Sequence, residues 1–150
     1  MATFRFRAQP ALDLRRREDE DATRAYAQAE RDLLAAAALL QEADGRLSGA
    51  RSAHTQALGV TGDAEQLQWY RFWILRLEQE RKTCVARVAL CEEKLKAAAT
   101  ARQRTHQRVK SLEKLKGKSA DAFEQRALAE EQKDNDMVGT MRFVAARRRN

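Results

Sequence analysis

Proline, glycine, aromatic residues and cysteine are all scarce in this chain, and each scarcity excludes something. A single proline in 150 residues leaves almost nothing to interrupt a helix. Six glycines, scattered singly, exclude a glycine-rich loop that cradles phosphate. Aromatics at 6% beside charged residues at 34% exclude a thick core but permit a narrow apolar seam between two helices. No apolar run reaches the roughly 18 residues needed to span a bilayer, and no secretory apolar segment follows the start. The two cysteines, Cys84 and Cys91, would share one helix face but lie roughly 10 Å apart along its axis. That is too far for an intrachain disulfide, so they read as reduced seam residues of a cytosolic protein.

What remains is Ala, Leu, Glu, Gln, Lys and Arg, side chains that lose little freedom in a helix. Residues 1–9 read as an extended, flexible segment in which Phe4 and Phe6 alternate with basic residues. Pro10 suits a first helical turn, where its missing N–H is not needed. A first helix is expected over 10–57. Tyr26, Leu33, Leu40, Leu47 and His54 recur every seventh residue, each followed three positions on by alanine, from Ala29 to Ala57. That is a heptad with a large residue at one core position and a small one at the other. Residues 58–63, with Gly59 and Gly62, predict the turn, and Asp63 can cap a second helix with Gln66 as its reciprocal partner.

The second helix is expected over 64–116. Its seam runs through Leu67, Tyr70, Ile74, Leu77, Cys84, Val88, Cys91, Leu95, Ala98, Val109 and Leu112, interrupted by Arg81, Arg102 and Thr105. Matching large to small positions in an antiparallel pair predicts partners whose numbers sum to about 124. Leu47 then meets Leu77, Ala50 meets Ile74, Leu33 meets Cys91, Leu40 meets Cys84 and Leu12 meets Leu112. The fold expected is all-α, a single long two-helix antiparallel coiled-coil hairpin. Residues 117–150 form a helical extension with a basic tail, in which Gly117 is the weak point and Ser119 a possible new cap. Phe123, Leu128, Met137, Met141 and Phe143 have no counterpart on the first helix, apart from what Phe4 and Phe6 can cover.

No catalytic constellation, cofactor site or metal site is expected. The glycines form no motif, Cys and His lack zinc spacing, and His54 and His106 fall far apart in the register. A two-helix hairpin offers its many carboxylates no concave pocket. Three features rise above a solvated helical background. Trp69, Tyr70, Phe72 and Trp73 surround the helix just after the turn. Tyr70 takes the seam, so the other three are partly outside, either capping the tip or anchoring a partner. Residues 94–118 carry nine Lys or Arg, from Lys94 to Lys118, against Glu113 alone; Glu18, Asp19, Glu20 and Asp21 would lie opposite part of this stretch. After Asp136 the tail holds Arg142, Arg147, Arg148 and Arg149 and no acid. With a net charge of +7, this basicity fits an acidic partner surface.

These regions resemble the FliJ family of bacterial flagellar export proteins. The opening Phe4-Arg5-Phe6-Arg7 with Pro10, then Leu12-Asp13-Leu14-Arg15 and the acidic run that follows, is similar to the family's N-terminal signature. Leu112-Glu113-Lys114-Leu115-Lys116, Phe123, Glu131-Gln132-Lys133 and Asp136 are similar to its C-terminal one. Asn135 and Met137 depart from it. The resemblance implies a non-enzymatic cytoplasmic protein at the cytoplasmic face of the inner membrane at the flagellar base, held there through partners only. It implies a hairpin like the stalk of the rotary ATP synthase gamma subunit, which binds in the export ATPase hexamer, promotes ring assembly and activity, and meets the export-gate membrane protein and export chaperones. It implies an ATPase surface at Phe4, Phe6, Arg7, Arg15, Phe123, Gln132, Lys133 and Asp136. It implies a gate surface at Trp73, Leu77, Glu80 and Cys84, of which Glu80 and Cys84 depart from the family's small residue and histidine. The alternatives are the equivalent stalk of a virulence injectisome and a basic coiled coil that binds nucleic acid. The opening Phe-Arg-Phe disfavours the first, and the absence of a stacking platform or reading motif disfavours the second; no nucleic-acid partner is expected.

Overall fold

The computed structural model describes residues 3–60 and 62–148. Two helices account for nearly all of them, α1 over Gln9–Val60 and α2 over Ala64–Arg147. The fold is all-α, a two-helix antiparallel hairpin, and no strand occurs among the described residues. Met1 and Ala2 of the opening segment, Thr61 of the expected turn, and Arg149 of the basic tail lie outside the described residues.

The bounds of α1 differ from expectation at both ends. α1 starts at Gln9, whose N–H donates to the Phe6 carbonyl at 3.1 Å, while Leu12 N–H reaches the Ala8 carbonyl at 3.0 Å. Pro10 sits inside the first turn, where it costs no hydrogen bond. At its other end α1 continues through Leu58 and Gly59 to Val60 instead of stopping at 57. None of the described glycines has a positive φ, so Gly59 does not act as a breaker and the link between helices is shorter than the sequence suggests. α2 passes through Gly117 without interruption, a point the sequence leaves open. Ser119 does not re-cap it; its hydroxyl donates to the Leu115 carbonyl at 2.9 Å, a back-bond inside a continuing helix. Asp63 does cap α2, accepting the Glu65 N–H at 3.0 Å.

The helices pack as two units, Glu20–Arg104 and Met1–Asp19 with Thr105–Asn150. In the Glu20–Arg104 unit the heptads of α1 turn inward, and Ala36, Ala43, Leu47 and Ala50 are buried. Leu47 and Ala50 pack with Leu77 and Ile74, the pairing the heptads predict. Leu77 is only 2% exposed; burying a leucine this completely contributes about 1.5–3 kcal/mol before entropy is charged against it. In the other unit Leu12 and Val109 are buried, and Phe4 rests on Phe123 with ring centroids 5.7 Å apart. Phe4 and Phe6 are both half-buried, so this part of the opening segment packs on the hairpin.

Each polar interruption of the α2 seam meets a partner on α1. Arg81 pairs with Asp44, Arg102 lies over the Tyr26 ring at 5.1 Å, and Thr105 donates to Asp19 at 2.7 Å. A long or polar side chain at a seam position is tolerated when its head reaches a partner at the edge.

Candidate partner-binding surfaces

In the Glu20–Arg104 unit the aromatic cluster builds a ladder on the outside of α2. The Trp69 ring meets Tyr70 edge-on at 5.2 Å and stacks on Trp73 at 6.0 Å, nearly parallel. Arg76 extends the ladder, its guanidinium 5.9 Å from the Trp73 ring, and reaches Glu80 at 3.5 Å. The rungs lie three or four residues apart, the spacing at which helix side chains become neighbours. Phe72 is 64% exposed and Trp73 37%, whereas Tyr70 turns inward beside His54 with centroids 6.0 Å apart. The Nε2 of His54 is buried and has no hydrogen-bond partner among the described residues.

The four residues carried onto the gate surface divide in character. Trp73 is exposed, and Glu80 lies at the edge, paired with Arg76 and with Arg46 of α1. Cys84 is half-buried. Leu77 is part of the core, packed with Leu47, Ala50 and Ile74. The heptad spacing already puts Leu77 and Cys84 in the seam; the stripe carried over by resemblance mixes these seam positions with the edge positions Trp73 and Glu80. Arg76 and two exposed leucines, Leu39 and Leu90, were not singled out by motif. Their signal is an apolar or cationic residue one position away from a seam or ladder residue.

The Met1–Asp19 and Thr105–Asn150 unit holds all eight residues carried onto the ATPase surface. Phe4 packs on Phe123, Phe6 is half-buried, and Arg7 is exposed. Arg15 is engaged by Glu18 at 2.7 Å. Gln132, Lys133 and Asp136 are exposed on α2. Beyond Phe123 the helix stands without cover, and Leu128, Met137, Val138, Met141, Phe143 and Val144 are all exposed.

The acidic run of α1 answers little of the basic stretch. Glu18 pairs with Arg15 and Asp21 with Arg24, on their own helix. Asp19 crosses to α2, to Thr105 and, at 3.6 Å, to His106. Within the basic stretch Lys96 pairs with Glu93 and Lys116 donates to Gln9. In the Met1–Asp19 and Thr105–Asn150 unit Arg108, Lys110, Lys114 and Lys118 make no ion pair among the described residues, and in the Glu20–Arg104 unit neither does Arg104. One phenol is perturbed: the hydrogen bond from Tyr26 to Glu30 pushes its pKa up, helped by the Glu30 charge and by burial and opposed by Arg102.

No group of His, Cys, Asp or Glu among the described residues could hold a metal ion, and no described helix is long and apolar enough to cross a membrane. A family model described as Flagellar FliJ protein matches residues 4–148. Comparison with curated proteins and with solved structures gives no match.

Proposed function

The chain belongs to the flagellar FliJ protein family and so is a component of flagellar protein export; from that premise we propose that it acts purely by binding, as a stalk in the export ATPase ring. The Met1–Asp19 and Thr105–Asn150 unit engages the ATPase through the Phe4–Phe123 pair, Phe6, Arg7, Arg15 and the exposed Gln132, Lys133 and Asp136. The aromatic ladder around Trp73, with Glu80 at its edge and Leu77 and Cys84 in the seam, meets the cytoplasmic part of the export-gate membrane protein. Export chaperones are further partners. The protein resides in the cytoplasm, at the inner-membrane face of the flagellar base through these partners. It promotes ring assembly and hydrolysis by favouring one state of the ring through differential binding.

The observation that carries this reading is the uncovered helix after Phe123, which keeps a row of large apolar residues exposed. Apolar side chains in such a row gain most by being covered by another protein.

The test is the hydrolysis rate and oligomeric state of the flagellar export ATPase, with and without this protein, at physiological salt. The full chain is expected to raise hydrolysis and drive ring formation. A chain lacking residues 119–150 is expected to stay helical and do neither. Full effect from the truncated chain would overturn the assignment of ends, and no effect from the full chain would overturn the stalk reading.

A further inference from the structure

Along one side of the Glu20–Arg104 unit the two helices leave a groove that the hairpin does not fill. Its α1 wall is built from Ala25, Ala29, Ala35 and Ala36 and ends at Leu39. The α2 wall offers Ala86, Leu90 and Ala98. Alanine adds little bulk, and the distance between packed helices is set by the side chains at the contact, so another helix can approach these walls closely. The two leucines do not serve the hairpin. Leu39 is 43% exposed and Leu90 56%, and each directly precedes a seam residue, so both face the same side.

The groove also has a charge pattern. On the α1 wall Asp32 is occupied, accepting from Gln28 at 2.8 Å. On the α2 wall Arg87 and Lys94 stand one heptad apart and make no ion pair among the described residues. The α1 wall from Ala25 to Leu39 is about four helical turns long, or roughly 21 Å. Walls made of helices have no free backbone donors or acceptors, so an extended segment would leave its own backbone unsatisfied there, whereas a helix satisfies itself.

We propose that this groove docks one amphipathic helix of a partner protein, apolar toward Leu39 and Leu90 and acidic along the edge that lies over Arg87 and Lys94. The occupant would complete a three-helix bundle over about four turns. A second copy of this chain fits less well. Its exposed stripe at Met137, Met141 and Val144 shares a face with Arg148, which would bring like charge to Arg87 and Lys94.

The test uses the full chain and two synthetic helical peptides about three heptads long. Both carry the same leucine core, and their flanks are glutamate in one and lysine in the other. Fluorescence anisotropy is expected to show the glutamate-edged peptide binding about 10-fold or more tighter, with the preference reversed in Arg87→Glu/Lys94→Glu. Leu90→Glu, at an exposed position, is expected to lose binding of the glutamate-edged peptide while circular dichroism stays unchanged. The proposal is overturned if neither peptide binds the unaltered protein, if both bind it equally, or if Leu90→Glu binds as well as the parent. Sedimentation of the protein alone supplies a further check: a dimer that Leu90→Glu dissolves would make the occupant a second copy and would also overturn it.

Discussion

Two stretches of α2 are equally helical and differ in what faces them. From Leu67 to Phe123 covered residues recur at third or fourth positions, with a gap around Arg102; from Glu124 to Arg148 every residue is exposed. Composition does not separate the two, since both are rich in strong helix formers. The difference is the supply of partner chain. α1 begins at Gln9, the opening segment brings Phe4 against Phe123, and no described residue covers the helix beyond. Most helical stability in proteins comes from packing one face, and an isolated helix is marginal in water. The covered stretch is therefore held by its seam, while the uncovered one is held by propensity and by continuity with the helix before it.

The largest expected effect contrasts two leucines. Leu77→Ala removes a side chain 2% exposed in the central cluster and is expected to cost about 2–5 kcal/mol in urea unfolding followed by circular dichroism. Leu128→Ala, in the uncovered stretch, is expected to stay within about 0.5 kcal/mol. Equal losses at the two sites would mean that the stretch after Phe123 is covered in solution, and the contrast would fail.

A smaller effect sits at Gly117, within the helix before the uncovered stretch. A methyl group there would meet nothing within 4 Å, and glycine inside a helix costs about 1 kcal/mol against alanine. Gly117→Ala is expected to raise stability by about that amount and to slow amide exchange in the residues that follow. Gly139→Ala, where space is equally open, is expected to slow exchange locally but to leave the urea midpoint nearly unchanged, because no packed seam depends on it. A midpoint that moves as much for Gly139→Ala as for Gly117→Ala would place the two stretches in one cooperative unit.

The same contrast explains what could be read in the sequence. The pairing of Leu47 and Ala50 with Leu77 and Ile74 was legible because two independent heptads, one alternating large and small residues, admit few registers. The exposure of Trp69, Phe72 and Trp73 was legible because one helix cannot turn so many neighbouring aromatics to one seam. Gly59 misled and Gly117 left the continuity of α2 open, since a glycine lowers helix propensity by an amount that a long continuous helix absorbs. The roles of Arg81 and Arg102 were half legible: they stood out as breaks in the seam, but Asp44 and the Tyr26 ring as their partners depend on edge geometry. The groove beside Leu39 and Leu90 depends on which side of a seam a residue leans, which a heptad count alone leaves open.

The smallest effect is electrostatic and tests whether α2 faces α1 at one chosen point of the covered stretch. The Tyr26 hydroxyl is held above its ordinary pKa chiefly by its hydrogen bond to Glu30, while Arg102 of α2 pulls the other way. The neutral phenol is thus favoured by folding. Its contribution is complete below the pKa of the unfolded chain and fades as pH rises through the higher folded value. With Tyr70→Phe as background, only Tyr26 of the two tyrosines remains to be followed by phenolate absorbance. Glu30→Gln is expected to lower the titration midpoint and Arg102→Ala to raise it further. A midpoint that ignores Arg102→Ala would mean that this guanidinium does not sit over the ring in solution, which would leave Arg102 as a break in the seam with no compensating partner at Tyr26.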